Sequence, residues 1–224
     1  MNVKEVAASL HVSEREVMRM AERRILPATW VKGTWQFRAG EVWNWIEANL
    51  QSLPTERAKG RPPPTGGDLL VCKSLKECAI AVDLVAKTKS SVIRSLARLA
   101  ELADPTLDAS VLADALLERE AQGSTALQDG VAVPHPSRPI YAESPVLAAA
   151  RTCQGIVFGE RRGGLTDLFF LVCCPTQTDH LLYLGRLCRF LLDAGLRESL
   201  RTAVDPGEFL DAIRHAETAL CNPR

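Results

Sequence analysis

The sequence predicts an α/β fold in which helices flank a sheet, preceded by a small separate unit at the N-terminus. After residue 69, short apolar segments compatible with strands alternate with amphipathic helical segments, which is typical of α/β layer folds. All four tryptophans lie within residues 1–50, so this part differs in composition from the remainder. We therefore expect a first domain over residues 1–50, a linker over 51–68 and a second domain over 69–224.

The composition excludes several classes of protein. Of 224 residues, 46% are hydrophobic, and the formal net charge is zero, so no overall attraction to nucleic acid or to a membrane is expected. The first residues lack the pattern of a signal peptide, and the longest apolar run, residues 168–174, is too short to span a bilayer. We expect a cytoplasmic protein without membrane insertion.

The cysteines give no sign of a metal or disulfide site. There are seven, without a CxxC pair, and Cys173 and Cys174 are adjacent within a predicted strand. This pattern favours buried, reduced thiols. We expect neither a metal nor a cofactor.

The first unit begins with two predicted helices. Apolar residues recur at helical spacing over residues 3–10. Ser13, followed three residues later by Glu16, is typical of the start of a second helix, and Pro27 predicts its end. Residues 30–37, with a central glycine, then predict a β-hairpin, and residues 41–50 predict an amphipathic helix.

This order of elements, with the stretch VKEVAASLHVSEREVMR, resembles the excisionase or MerR-like winged helix-turn-helix family over nearly all of residues 1–50. The resemblance implies that the second helix enters the major groove of DNA and that the hairpin is a wing. Two positions depart from the family pattern: Arg24 replaces a usual glycine in a left-handed turn, and Gln36 replaces a basic wing residue. The DNA contacts that the resemblance implies are Ser13, Arg15, Arg19 and Lys32.

The charge of this unit leaves two interpretations open. Residues 1–50 carry seven Lys or Arg and six Asp or Glu, a net of plus one, whereas DNA-binding modules are usually more basic. The unit therefore either binds DNA or serves as a protein-docking or dimerisation module.

The linker contains RPPPTGGD. Three consecutive prolines favour an extended, stiff spacer, and the glycine pair provides a pivot. We expect the two domains to be separable.

The second domain opens with a predicted strand over residues 80–85. Ser90 and Asp108 predict the starts of two helices, because their side chains accept hydrogen bonds from first-turn amides. In the second of these helices, residues 112, 115 and 116 form an apolar face that continues to Arg119. An arginine on a buried face needs an anionic partner, so Arg119 is a candidate anion-binding residue.

Two further strands are predicted over residues 145–150 and 166–174, separated by a glycine-rich segment over 155–164. The second is apolar almost throughout, which indicates burial on both faces. Two helices are predicted at the C-terminus, over residues 197–204 and 206–219.

A long helix is predicted to begin at Thr178 or Asp179, after the last strand. His180 lies in its first turn. There the positive end of the helix dipole favours an anion and lowers the pKa of an imidazole. His180 is therefore a second candidate, although a histidine here can also have a purely structural role.

His135 is held at the end of a short predicted strand. Residues 123–125 are turn formers, and residues 131–133 are compatible with a strand that ends at Pro134. Pro134 and Pro136 restrict the backbone on both sides of His135. A lone histidine is often only a loop residue, but a held imidazole is a usable nucleophile.

The segments ALLEREAQGST and DGVAVPHPSRP resemble the phosphohistidine region of enzyme IIA domains of the phosphoenolpyruvate-dependent phosphotransferase system. The fructose/mannitol class and its nitrogen-regulatory relatives are the most similar, and the similarity runs from about residue 69 to the C-terminus. The resemblance implies a mixed sheet flanked by helices. It also implies that His135 accepts a phosphoryl group from the small histidine-containing phosphocarrier protein.

The resemblance implies a site around His135. His180, within an HLxxLxxL stretch, would orient His135 or hydrogen-bond the phosphoryl oxygens, and Arg119 would hold the transferred group. Such transfer needs positioning and charge neutralisation and no metal. Further candidates for phosphate binding are Ser124 and Thr125, which otherwise cap the loop, and Arg138, which stands three residues after the histidine where nitrogen-regulatory relatives often have an arginine after two.

Two functions remain open at this point. The chain is either a regulator whose phosphorylation state acts on a target protein or on DNA, or a sugar-specific enzyme IIA that passes phosphate to a IIB component. The helix-turn-helix unit and the absence of a sugar-transport segment favour the regulator. In both cases the chain is a phosphotransferase component that is phosphorylated stoichiometrically.

Overall fold

The computed structural model forms two compact units, Met1–Gly67 and Asp68–Arg224. It describes residues 1–10, 13–31, 33–38, 41–42, 45, 70–138, 142–159 and 163–221. The predicted linker over residues 51–68 lies outside these ranges, as do Lys32 and most of the helix predicted over residues 41–50.

The first unit contains the predicted helix-turn-helix and hairpin. Its elements are α1 (Val3–Leu10), α2 (Glu14–Glu22), β1 (Thr29–Val31) and β2 (Thr34–Gln36). Helix α2 ends five residues before Pro27, because the chain turns at Arg24, whose φ is 55°. The left-handed turn is thus kept without glycine, at a cost of roughly 1–2 kcal/mol.

A four-stranded mixed sheet forms the centre of the second unit. Its strands are β3 (Leu75–Leu84), β4 (Val131–Ala132), β5 (Val146–Ile156) and β6 (Thr166–Cys173), in the spatial order β3-β5-β6-β4. Strand β5 is antiparallel to β6, whereas the outer pairs β3/β5 and β4/β6 are parallel. The mixed α/β fold is therefore confirmed.

Helices cover the sheet. They are α3 (Leu70–Ser74), α4 (Lys89–Ala103), α5 (Ala109–Ala121), α6 (Gln177–Leu191), α7 (Ala194–Thr202) and α8 (Pro206–Cys221). Phe169 and Phe170 of β6 point to opposite faces, and both are buried. Phe170 packs 5.9 Å from Phe209 of α8, and Phe169 packs 5.2 Å from Phe158. As expected, both faces of β6 are buried.

Several predicted boundaries were wrong. Helix α4 begins after Thr88, which forms a reciprocal capping pair with Ser91, and not at Ser90. Helix α6 begins after Thr176, whose hydroxyl accepts from the Asp179 amide, and not at Thr178 or Asp179. In contrast, Asp108 caps α5 as predicted.

Two strands are longer than predicted. Strand β3 starts at Leu75 and not at residue 80, because Leu75 pairs with Leu147 of β5, although the register is irregular between Leu75 and Ile80. Strand β5 runs to Ile156, into the glycine-rich segment, where Ile156 pairs with Thr166. Pairing with a neighbouring strand overrides the local polar composition in both cases.

The cysteines are only partly buried. Cys173, Cys174 and Cys188 are buried as expected, but Cys78 and Cys153 are exposed. Burial raises the pKa of the Cys173 thiol to about 12, which keeps it protonated and unreactive. Among the described residues, no group of His, Cys, Asp and Glu could hold a metal ion, and no helix is long and apolar enough to cross a membrane.

Candidate functional site

The sheet topology brings the two candidate histidines to one place. Strands β4 and β6 are parallel, so their carboxyl ends meet at the same edge of the sheet. His135 follows β4 by three residues, and the chain leaving β6 enters α6, in which His180 is the fourth residue. The rings lie with their centroids 5.1 Å apart at an interplanar angle of 64°.

His135 is 3% exposed, and its ring is held by the backbone two residues earlier in the chain. Nδ1 lies 2.8 Å from the carbonyl oxygen of Val133. Because a carbonyl only accepts, Nδ1 must donate the proton, and a neutral ring then carries its lone pair on Nε2. The backbone is fixed in turn, since the Val172 amide donates to the carbonyl of Pro134 at 3.1 Å.

His180 is held as a neutral imidazole. Burial lowers its pKa well below the ordinary 6.5, and electrostatic interaction with His135 and with Arg119 lowers it further. Its position in the first turn of α6 acts in the same direction, because the helix dipole disfavours a cation there. A neutral ring keeps one N–H to donate.

Arg119 brings a positive charge to the same cluster. It lies in the last turn of α5 and is 7% exposed, and its charge acts on His180. Nη1 donates to the carbonyl oxygen of Gly123 at 3.0 Å, which ties the guanidinium to the loop that leads to β4. The arginine predicted from the apolar face is therefore buried, and its charge reaches His180.

Ser124 and Thr125 shape this loop. The Ser124 hydroxyl donates to the carbonyl of Phe158 at 3.2 Å, and the Thr125 hydroxyl donates to Glu120 at 2.7 Å. Both hydroxyl protons are thus directed at protein acceptors. This geometry corresponds to the loop-capping alternative for the two residues.

Glu120 was missed by sequence reasoning. It is buried at the end of α5, next to Arg119, and it accepts hydrogen bonds from Thr125 and from Lys89. The Lys89 ammonium also lies 5.0 Å from the centroid of the Phe158 ring. The only sequence signal is the adjacency of Glu120 to Arg119, and nothing in the sequence pairs it with Lys89 across 31 positions.

Comparison with known proteins identifies both domains. Residues 73–216 match the family described as phosphoenolpyruvate-dependent sugar phosphotransferase system, EIIA 2, and residues 1–50 match a helix-turn-helix domain family. The chain belongs to the EIIA 2 family. Both resemblances stated from the sequence are therefore confirmed at the level of the domain.

Relatives of this EIIA domain include sugar-specific and regulatory proteins. A fructose-specific EIIA component of Haloferax volcanii is 34% identical over 52% of this chain and 76% of its own length. A nitrogen regulatory protein of Pseudomonas aeruginosa is 30% identical over 54% and 80%. The crystal structure of nitrogen regulatory protein IIA-Ntr from Neisseria meningitidis superposes with a TM-score of 0.60 at 27% identity, over 64% of this chain and 99% of that one.

The other predicted site residues that the structure describes lie on exposed surfaces. Arg138 is exposed, three residues after His135. In the helix-turn-helix domain, Arg15 and Arg19 are exposed on α2, and Ser13 is exposed just before it. Their roles in phosphate and DNA binding stay predictions, as does that of Lys32.

Proposed function

We propose that this chain is a regulatory phosphocarrier: His135 accepts a phosphoryl group from the histidine-containing phosphocarrier protein, and the phosphorylated state acts on a target. The observation that carries the proposal is the buried His135–His180 pair beside Arg119, with Nδ1 of His135 held on the Val133 carbonyl. This arrangement directs a lone pair to Nε2 of His135 and places a positive charge nearby. We propose a cytoplasmic location, because the phosphocarrier must reach the site.

In the proposed transfer one P–N bond forms and one breaks, and no proton is transferred. Nε2 of His135 attacks the phosphorus of the donor phosphohistidine and forms the new P–N bond. The donor P–N bond breaks, and its electron pair returns to the donor's ring nitrogen. His135 keeps its Nδ1 proton on the Val133 carbonyl throughout, so the phosphorylated ring carries a formal positive charge that the dianionic phosphoryl group offsets. The donor ring likewise keeps the proton on its other nitrogen and leaves as a neutral imidazole.

The neighbouring groups stabilise the charge that is transferred. Arg119 offsets the negative phosphoryl oxygens by charge-assisted hydrogen bonds, and neutral His180 donates an N–H to them. Phosphoryl transfer depends mainly on positioning and charge neutralisation, so this set suffices without a metal. Ser124 and Thr125 contribute by shaping the loop, and Arg138 by attracting the incoming phosphoryl group from the surface.

Two observations support a regulatory role of the nitrogen-regulatory type. The EIIA domain follows a helix-turn-helix domain, and relatives include nitrogen regulatory proteins. We propose that phosphorylation of His135 changes how the chain acts on a target protein or on DNA. A second function is favoured by the fructose-specific relative: transfer of the phosphoryl group onward to a IIB component, with the N-terminal domain serving for protein docking.

The test is a reconstituted relay. The full chain is incubated with phosphoenolpyruvate, enzyme I and the phosphocarrier, and its intact mass is followed with and without the phosphocarrier. We expect a gain of one phosphoryl group only when the phosphocarrier is present. No gain with a relay that phosphorylates a known EIIA control would contradict the proposal, and rapid discharge to an added fructose IIB component would favour the second function.

A further inference from the structure

The carboxylate of Glu120 connects three parts of the domain around the proposed site. Its side chain is 3% exposed. Oε2 accepts from the backbone amide of Thr125 at 2.9 Å and from the Thr125 hydroxyl at 2.7 Å, and Oε1 accepts from Nζ of Lys89 at 3.0 Å. Because all these bonds involve a charged acceptor, they are stronger than neutral ones.

A chain of hydrogen bonds leads from Glu120 to the ring of His135. The carbonyl oxygen of Thr125 accepts from the Val133 amide at 3.1 Å, and the Val133 carbonyl accepts from Nδ1 of His135 at 2.8 Å. Thr125 is thus bonded to Glu120 on one side and to Val133 on the other. Val133 is in turn bonded to the ring of His135.

We propose that Glu120 is the positioning residue that fixes the orientation and tautomer of His135. The inference rests on the proposed function, since it names what holds the accepting ring in place. The connection transmits position and not charge, because the amide and the carbonyl of Thr125 belong to different peptide groups. If Glu120 releases Thr125, the Val133 carbonyl moves, and Nδ1 of His135 loses its fixed acceptor.

Lys89 holds the Glu120 carboxylate in place by an ion pair. It is the first residue of α4, and its ammonium lies between the Glu120 carboxylate and the face of the Phe158 ring. Phe158 is also the residue whose carbonyl accepts the Ser124 hydroxyl. The lysine therefore joins α4, the end of α5 and the segment after β5 around the loop that precedes His135.

Glu120→Gln tests the proposal, because it keeps the shape but removes the charge, and its amide can no longer accept from both Thr125 and Lys89. Glu217→Gln is a matched control. Glu217 is equally buried and accepts from the amides of Val71 and Cys72 and from Arg186, outside the hydrogen-bond chain to His135. Thr125→Val, which removes only the hydroxyl donor, is a milder second variant in case Glu120→Gln does not fold.

Two readouts are measured on the full chain: the single-turnover rate of phosphoryl uptake from the phosphorylated phosphocarrier, and the His135 tautomer by nitrogen NMR. In Glu120→Gln we expect the rate to fall by about tenfold or more at saturating donor, and the Nε2-protonated tautomer to increase. Thr125→Val should change both in the same direction but less, and Glu217→Gln should change neither.

The proposal is overturned if Glu120→Gln keeps the parent rate and tautomer, or if Glu217→Gln slows transfer as much. If the parent takes up no phosphate at all, the proposed function fails, while the tautomer measurement still decides the role of Glu120. An unchanged His135 tautomer in both Glu120→Gln and Thr125→Val would then refute the positioning role of Glu120.

Discussion

His135 and His180 face each other edge to face, 5.1 Å apart, at the sheet edge where two parallel strands end. One ring is fixed by a backbone carbonyl, and the other is kept uncharged by burial and by the charge of Arg119. With Nδ1 as the donor, a neutral His135 ring carries its lone pair on Nε2, and neutral His180 keeps one N–H to donate. The pair therefore explains how a nucleophile and a hydrogen-bond donor coexist in a nearly buried site.

His180 makes the stability of the domain dependent on pH. Because its pKa in the folded protein is well below 6.5, the unfolded chain binds a proton that the folded chain does not as the pH falls below about 6.5. The free energy of unfolding should therefore decrease in that range, by at most about 1.4 kcal/mol per pH unit from this group. Urea unfolding of the parent and of His180→Gln at pH 7.5 and below should show a shallower pH dependence in the variant; equal slopes would contradict the assignment.

Arg119→Ala should slow phosphorylation of His135 by about a hundredfold, the usual cost of losing one pre-organised donor. The same change should raise the pKa of His180, since the arginine charge contributes to lowering it. Single-turnover labelling and an NMR titration of His180 measure the two effects. Arg214→Ala, which removes an exposed arginine on α8, is the control. A parent-like rate in Arg119→Ala would return Arg119 to a structural role.

The predicted linker should make the two domains separable. Limited proteolysis should cut between residues 51 and 68, within the proline- and glycine-containing stretch. We expect the C-terminal fragment to accept phosphate at the rate of the full chain. A protected fragment containing both domains, or a C-terminal fragment that unfolds, would show that this segment is docked.

Residues 1–50 should bind DNA only weakly, because their net charge is only plus one. Phosphate contacts supply most non-specific affinity, so a single domain should bind weakly, with a Kd of about 100 μM at physiological salt. Fluorescence anisotropy of the full chain, with and without His135 phosphate, measures this at low and moderate salt. Arg15→Ala/Arg19→Ala should abolish the signal, whereas Lys4→Ala on α1 should not. Absence of binding at low salt would favour the protein-docking interpretation.

Local sequence signals predicted the burial of Arg119 and the position of His135 after a strand better than they predicted element boundaries. Arg119 became a candidate because it continues an apolar helical face, and His135 because two prolines hold it at a strand end, whereas their roles were implied only by the resemblance to enzyme IIA domains. The start of α4 was misplaced because Thr88, Ser90 and Ser91 are all competent caps, and only the reciprocal pair of Thr88 with Ser91 decides between them.

Contacts between distant segments could not be predicted from one sequence. The Glu120–Lys89 pair joins the end of α5 to the start of α4. Arg201 of α7 binds Asp167 of β6 and the carbonyl of Asp129, just before β4. Each depends on how helices pack on the sheet. Their charged residues look like ordinary solvated positions until the fold brings them together.

Phosphorylation of His135 tests the central claim most directly. The parent and His135→Asn, whose amide nitrogen is attached to Cγ as Nδ1 is and can still donate to the Val133 carbonyl, are incubated with the complete relay. The labelled parent is mapped by mass spectrometry under conditions that preserve acid-labile phosphate. We expect one phosphoryl group on His135 in the parent and none in the variant, with equal thermal stability of the two. Phosphate uptake by His135→Asn at the parent rate, or mapping of the label to another residue, would contradict the proposed role of His135.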